Sequence, residues 1–214
     1  MQKPQNNCNY HEVFAPEPYF EPSLILKEKP VSGSVNVKYD EYVEEIKKLL
    51  IKVIDALEID FGVVHMEVFR TNEGVLIGEI GCRPAGGLIS GVVKNQYGIN
   101  LWDHYMALNI REPLEPITLN ESDKYQGWLG LTCKEGKITR LTPSSELLEI
   151  EEVKEVIDLY NEGDYVDPRW KGSTIFFSKL IFFELNKLEE LDNLRKKLSE
   201  TYHIEVSPLV EVYN

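Results

Sequence analysis

Two glutamates lie on neighbouring predicted strands, at positions where their carboxylates can meet. Residues 62–70 and 75–82 are rich in β-branched and apolar residues, which favours strands. Residues 72–74, Asn-Glu-Gly, predict a hairpin loop that ends on a left-handed glycine. In that register Glu67 lies directly opposite Glu79, with Cβ atoms about 4.5–5.5 Å apart. Such carboxylates repel unless they share a proton, are hydrated or bind a cation, and Mg²⁺ suits one or two carboxylates with phosphate oxygens.

The same register pairs Thr71 with Val75 and divides the hairpin into two faces. The apolar face, fit for a core, is predicted to carry Val64, Met66, Val68, Leu76, Ile80 and Cys82. The polar face is predicted to carry His65, Glu67, Phe69, Ile77, Glu79 and, just beyond the paired strand, Arg83. Two alternatives stay open from the residues alone: a hydrated acidic sheet face, or a register shifted by one residue.

Two further residues of the hairpin have a chemical and a structural interpretation. Cys82 is expected to be a small core residue, because no His/Asp arrangement around it indicates a nucleophile. His65 shares the face of the carboxylates. It could support a metal ligand through a hydrogen bond, or it could be a hydrogen-bonded structural histidine.

A loop of small residues follows the second carboxylate strand directly. Residues 83–87 read Arg-Pro-Ala-Gly-Gly. Glycines let backbone N–H groups approach an anion closely, and arginine offers a planar fork for a carboxylate or a phosphate. A structural loop with a surface arginine would have the same residues, so the loop alone does not decide between the two.

The surrounding elements are predicted from periodicity, capping and turn signals. Helices are expected at about 40–58 with Asp40 as N-cap, at 89–96, at 101–109, at 151–161, and after Asn186 with Glu189 completing a capping box. Strands are expected at 34–38, in a hairpin over 126–141, at 173–184 and at 203–206. The proline-rich residues 1–33 predict an extended arm.

Composition excludes several classes of protein. The formal net charge is −13, from 36 acidic and 23 basic residues, which argues against a nucleic-acid partner and against an anionic membrane surface. Cys8, Cys82 and Cys133 form no CxxC motif and indicate reduced thiols. With no apolar run of about 18 residues and a polar start, the expectation is a cytoplasmic protein.

The hairpin and its loop together resemble the ATP-grasp superfamily, most closely its L-amino acid and carboxylate–amine ligase branch. That family pattern is a strand with His-x-Glu, a turn, Glu-x-Asn-x-Arg and a Gly-Gly loop. Here residues 65–67 read His-Met-Glu, and residues 79–87 read Glu-Ile-Gly-Cys-Arg-Pro-Ala-Gly-Gly. Residues 98–101, Gly-Ile-Asn-Leu, resemble the family's step into the next helix. The resemblance is specific over about 40–112 and looser over 126–206.

The resemblance implies an α+β fold. We expect an ATP-grasp carboxy-terminal catalytic subdomain, an antiparallel sheet with flanking helices, followed by a small α/β carboxy-terminal subdomain. The corresponding segments are an extended arm over 1–33, the metal-binding catalytic half over 34–112 and the carboxy-terminal subdomain over 113–214.

The resemblance also implies roles for individual residues. Glu67 and Glu79 would bind Mg²⁺ or Mn²⁺, with ATP as cosubstrate, and Arg83 would stabilise the transferring phosphoryl group. Gly86 and Gly87 would help to hold the substrate carboxylate. The implied reaction forms an acyl phosphate, which an amine then attacks to give an amide. The family's third metal ligand, usually Asn, falls at Gly81, which has no side-chain oxygen.

The family's lysines and mobile glycine-rich loop are missing from this sequence. The expected partners are therefore an amino-terminal ATP-grasp half, or a second copy of the chain, besides small carboxylate and amine substrates. Gly81 and the missing lysines favour an alternative, a non-catalytic binding or scaffold module that keeps the fold. A metal-dependent hydrolase is a third hypothesis, although His65 would be its only obvious general base.

Overall fold

The computed structural model describes residues 31–36, 41–71, 74–113, 117–118, 120–170 and 176–207. The strands in these ranges are β1 (Val31–Val35), β2 (His65–Thr71), β3 (Gly74–Gly81), β4 (Tyr125–Thr132), β5 (Gly136–Leu141), β6 (Val153–Asp158), β7 (Tyr165–Val166), β8 (Phe177–Leu185) and β9 (Ile204–Ser207). The helices are α1 (Glu41–Ala56), α2 (Ile89–Tyr97), α3 (Leu101–Ile110), α4 (Ser144–Leu147) and α5 (Leu191–Thr201), with 3-10 turns at Pro168–Trp170 and Leu188–Glu190. All strand pairs are antiparallel, which confirms the α+β prediction.

A four-stranded sheet in the order β1–β4–β8–β6 carries the core. Its two faces pack against different helices. On one face, Leu129, Leu131, Ile181 and Phe183 join Leu194 and Leu198 of α5 in one cluster. On the other face, Trp128, Phe177 and Phe182 join Val92 of α2. The segment that leads into α2 is therefore held against the Trp128 face of the sheet.

The predicted hairpin over 126–141 is wrong. β4 and β5 both form, but β4 pairs with β1 and β8, while β5 belongs to a separate three-stranded sheet in the order β7–β5–β9. The alternation of side chains and the Lys-Glu-Gly turn predict both strands correctly, but they do not determine which strands pair with each other. The nine-residue, almost wholly buried β8 offers β4 a longer apolar partner than β5 does.

The predicted helix over 151–161 is also wrong, because β6 occupies that stretch at the edge of the central sheet. The spacing of Val153, Val156 and Ile157 fits a helical stripe. These residues are β-branched, however, and pair across to β8, with Val156 opposite Ile181. Cross-strand packing decides the state of such a short segment.

The remaining predicted helices are confirmed within a few residues, and in the described ranges no helix is long and apolar enough to cross a membrane. The capping signal before α5 is shifted by one residue from the prediction. The carboxylate of Glu190, not that of Glu189, accepts hydrogen bonds from the backbone N–H groups of Asn186 and Lys187, at 3.0 and 3.2 Å. Asp40, the predicted cap of α1, lies outside the described residues.

The central sheet joins segments that are far apart in the sequence. β1 pairs with β4 from Val31 opposite Leu131 to Val35 opposite Gly127. Strands from both sides of the predicted boundary at 113 thus share one sheet. The division of the chain at 33 and 113 stays a prediction.

Candidate functional site

The pairing of the two glutamates is the central feature of the β2–β3 hairpin. Glu67 lies opposite Glu79 and His65 lies opposite Gly81, as the sequence predicts. Nearer the turn the prediction is wrong by one residue, because Thr71 pairs with Gly74 and not with Val75. The register shifts back between Glu67 and Val68, so that residue 78 is the extra residue of a β-bulge.

The bulge exchanges two apolar side chains between the faces. Val68 pairs with Ile77 and Phe69 pairs with Leu76. Leu76 therefore lies on the face of the carboxylates and Ile77 lies on the opposite face, the reverse of the prediction. Cys82, predicted to be a core residue, is exposed.

Each carboxylate has a basic neighbour and remains open to solvent. The side chains of Glu67 and Glu79 are 60% and 59% exposed. Oε1 of Glu79 lies 3.7 Å from Nη2 of Arg83, and Oε1 of Glu67 lies 4.0 Å from Nε2 of His65, whose side chain is 9% exposed. The structure thus brings together four of the predicted site residues. Arg83 is half-exposed at one end of the group, and His65 is partly buried at the other.

This donor set fits a hard divalent cation that shares its coordination sphere with a ligand. In the described ranges no group of three His, Cys, Asp or Glu residues could hold a metal by itself. Gly81 adds no oxygen, and the side chain of Arg83 lies over it, with Cγ 3.6 Å from the place of a Cβ at residue 81. Two carboxylates completed by phosphate oxygens and water form the arrangement that Mg²⁺ prefers.

The loop after β3 is anchored by its middle and open at its end. Pro84 and Ala85 are buried, and the carbonyl of Pro84 accepts a hydrogen bond of 3.0 Å from Nη1 of Arg83. Gly87 has a φ of +62°, and a Cβ there would lie 3.1 Å from Cζ2 of Trp128, so a side chain would be both strained and crowded. Nothing lies within 4 Å of a Cβ built at Gly86, which leaves the loop accessible at this residue.

The sequence gives little indication that Trp128 belongs to this site. It lies 45 positions after Arg83 (128 − 83), on a strand predicted to pair elsewhere. The order of the central sheet places it beneath Gly87, with Phe177 edge-on at 6.1 Å between ring centroids. Only its position in the apolar middle of β4 could have indicated a packing role.

Comparisons with known proteins show what this chain is similar to. No family model matches the chain. Over 170 residues, or 78% of its length, it is 34% identical to the L-arginine-specific L-amino acid ligase of Bacillus subtilis, of which it spans 40%. The crystal structure of the L-amino acid ligase from Bacillus licheniformis matches with a TM-score of 0.66 at 21% identity, over 84% of this chain and 44% of that one.

Two further structures share the fold at lower identity. Phosphoribosylglycinamide synthetase from Anaerococcus prevotii has a TM-score of 0.64 at 17% identity, over 82% of this chain and 45% of that one. The biotin carboxylase domain of Hydrogenobacter thermophilus 2-oxoglutarate carboxylase, in complex with MgADP and bicarbonate, has a TM-score of 0.55 at 17% identity, over 78% and 37%.

The chain belongs to the ATP-grasp superfamily. The predicted family and fold, the carboxy-terminal region of ATP-grasp proteins, are therefore confirmed. The chain spans less than half the length of the relatives that it matches.

The ATP-grasp hairpin exposes apolar as well as acidic side chains. Leu57, Phe61, Phe69 and Leu76 are all exposed, on and just before the two strands. The phenylalanines of β8 and of the residue before it are all buried, namely Phe176, Phe177, Phe182 and Phe183. Among the described residues, part of the exposed apolar surface thus lies on the hairpin that bears the carboxylate pair, and another part lies on α3, at Trp102, Met106 and Ile110.

Proposed function

We propose that this chain supplies the metal-binding part of an ATP-dependent carboxylate–amine ligase. The observation that carries the proposal is the opposition of Glu67 and Glu79, with Arg83 3.7 Å from Glu79 and an open Gly-Gly segment next in the chain. The 34% identical relative is named as an L-amino acid ligase, which supports the same class of reaction.

Each group of the site has a role that follows from its chemistry. Glu67 and Glu79 would hold Mg²⁺, which when bound neutralises phosphate charge and fixes phosphate geometry. Arg83 donates its planar fork to the phosphoryl group, where negative charge develops during transfer. Gly86 and Gly87 present backbone N–H groups to the substrate carboxylate, with Gly87 kept small by Trp128.

The proposed reaction has two steps. A carboxylate oxygen of the first substrate attacks the γ-phosphorus of ATP, the bond to the leaving ADP oxygen breaks, and an acyl phosphate forms. The amine of the second substrate then attacks the acyl carbon, loses a proton and expels inorganic phosphate. The exposed apolar surface around the hairpin is where an amino-terminal ATP-binding half would pack, and this contact would exclude water from the acyl phosphate.

A second candidate function is a non-catalytic module that keeps the ATP-grasp fold. Gly81 favours it, since this residue leaves the carboxylate pair without a third side-chain ligand. The space at residue 81 is sufficient for a side chain, because the nearest atoms to a Cβ there belong to Arg83 at 3.6 and 3.7 Å. If Gly81→Asn strengthens Mn²⁺ binding severalfold, the site is a weakened version of a functional one.

The test of the ligase proposal is reconstitution with the amino-terminal part of an L-amino acid ligase, added separately or fused ahead of this chain. Phosphate release should require both a carboxylate and an amine substrate. Arg83→Ala should lower the rate about 100-fold or more, as expected for a donor that acts on developing charge. Arg169→Ala, at an exposed arginine far along the chain, is the matched control and should keep the rate. Equal rates for both variants would contradict the proposal, and no turnover in any pairing would favour the non-catalytic module.

A further inference from the structure

The indole of Trp128 packs against the loop at Gly87. The ring atoms nearest to a Cβ built at Gly87 are Cζ2 at 3.1 Å and Cε2 at 3.6 Å. Cη2 follows at 3.7 Å, so the contact is centred on Cζ2, and Nε1 lies one bond beyond Cε2. Trp128 is 3% exposed, and among the described residues its Nε1–H has no hydrogen-bond acceptor.

The position of this indole is well fixed. Phe177 lies edge-on to it at an interplanar angle of 82°, and Val92 and Phe182 belong to the same buried cluster. A tryptophan N–H that is buried without an acceptor is uncommon, because native proteins pair nearly all such groups with protein, water or ligand. A fixed donor without an acceptor, next to an accessible glycine, is available to a ligand atom.

Two hydroxyl groups on neighbouring elements are also buried without a hydrogen-bond partner among the described residues. Ser34, the cross-strand partner of Trp128 on β1, is 4% exposed, and Ser90, in the first turn of α2, is 6% exposed. In the described part of the chain neither Oγ atom has a hydrogen-bond partner. Buried hydroxyl groups without partners thus lie on β1 beside Trp128 and on the helix that follows the loop.

The charge around Trp128, Ser34 and Ser90 indicates which charge a ligand there should carry. α2 has no side-chain cap and no acidic residue in its first turn, so the positive end of its dipole is not neutralised by a carboxylate there. Arg83 stands at the start of the loop with its side chain half-exposed. N–H and O–H donors, a helix N-terminus and an arginine together favour an oxyanion.

We propose that Trp128 is a binding residue of the loop site, whose indole N–H donates to an oxyanion held against the Gly86–Gly87 segment. Ser34 and Ser90 support the same site with their hydroxyl groups. The oxyanion is a carboxylate or a phosphate oxygen, and the inference rests on the proposed function, which brings both to this loop.

The test uses ¹H–¹⁵N spectra of the full chain, in which Trp102, Trp128 and Trp170 each give an indole signal. Trp128→Phe assigns the signal of Trp128. Sodium acetate and sodium phosphate are titrated separately at constant ionic strength, with sodium chloride as the reference. We expect the Trp128 indole signal to move downfield and saturate, while that of the exposed Trp102 stays in place. A response to acetate alone assigns a carboxylate, and a response to phosphate alone assigns a phosphoryl group.

Two variants separate a ligand contact from a packing role. Trp128→Phe keeps an aromatic ring but removes the donor, and it should weaken the affinity reported by the Gly86 and Gly87 amide signals about tenfold, the value of a hydrogen bond to a charged group. Trp102→Phe should bind as the wild type does. An immobile Trp128 signal during titration of the loop, an unchanged affinity in Trp128→Phe, or no response of the loop to either anion would each overturn the inference. A Trp128 response without ligase activity on reconstitution would instead remove the proposed function and keep the oxyanion site.

Discussion

The central sheet and the β2–β3 hairpin are built from similar strand-forming residues, but they are packed in opposite ways. β4 and β8 are buried on both faces, and Phe183 is 1% exposed between them and α5. The hairpin pairs with no other described strand, and its Phe69 is 60% exposed. A two-stranded hairpin alone is marginally stable in water. The difference indicates that the central sheet stabilises the chain, while the hairpin that bears the site needs a further surface to cover it.

One substitution in each region tests this contrast, and the free energy of unfolding should show the largest difference. Phe183→Ala should lower the free energy of unfolding by about 3–5 kcal/mol, because it leaves a cavity in a packed core. Phe69→Ala should change it by less than about 0.5 kcal/mol, because an exposed ring loses few contacts. Urea denaturation of both variants measures this. A loss for Phe69→Ala comparable to that for Phe183→Ala would mean that the hairpin is part of the core.

The reactivity of the two described cysteines compares the same two regions, because Cys82 is exposed beside the hairpin and Cys133 is buried at the end of β4. Burial raises the pKa of the Cys133 thiol to about 11, against a smaller lowering by a backbone hydrogen bond from Lys134. At pH 8 only about one such thiol in a thousand is ionised, and the thiolate is the reactive form. Iodoacetamide should therefore modify the exposed Cys82 at least about 100-fold faster than Cys133.

Peptide mapping by mass spectrometry reads each cysteine separately, and Cys82→Ser provides the control. Comparable rates at Cys82 and Cys133 would show that the central sheet opens as readily as the loop beside the hairpin.

A smaller effect concerns an ion pair at the edge of the central sheet. Lys179, nearly fully buried, donates hydrogen bonds to Asp158 and to Ser144, and Ser144 Oγ donates to Asp158 at 2.7 Å. Partial burial raises the pKa of Asp158, but the hydrogen bonds from Lys179 and Ser144 and the charge of Lys179 outweigh it, so its pKa lies below the ordinary value. The stabilisation from this carboxylate is thus complete above the ordinary pKa, near 4, and is lost as the pH falls through the lower folded-state pKa.

Asp158→Asn should accordingly cost about 1 kcal/mol at pH 7, a value kept small because the carboxylate is partly exposed. The difference from the wild type should shrink below pH 4. Urea denaturation at pH 7, 5 and 3.5 measures it, with the highly exposed Asp192→Asn as control. A deficit that is the same at all three pH values would assign the effect to packing and not to charge.

The carboxylate pair is predictable from sequence because it depends on local residues only. The prediction contains two errors that cancel, since the turn has two residues between Thr71 and Gly74, and the extra residue appears at position 78 instead. A glycine inside a strand is compatible with a bulge but does not specify one. For this reason Glu67 and Glu79 are paired correctly, while Leu76 and Ile77 are assigned to the wrong faces.

Features that depend on distant pairing could not be predicted in the same way. β4 and β5 are adjacent in sequence, yet their partners are β8, more than forty residues away, and β9, more than sixty away. The residue spacing of β6 fits a helix, and only its pairing with β8 makes it a strand. Trp128 reaches the Gly87 loop only through this sheet order, so no motif near Arg83 could indicate it.

The central claim, that Glu67 and Glu79 together bind a divalent cation, is tested most directly by calorimetric titration of Mn²⁺ into the wild type, Glu67→Gln and Glu79→Gln. Glu155→Gln, at an exposed carboxylate on β6, is the control for net charge. We predict one site in the wild type, an affinity lower by at least about tenfold in each hairpin variant, and no change in the control. Equal affinities in the wild type and Glu79→Gln would contradict the account.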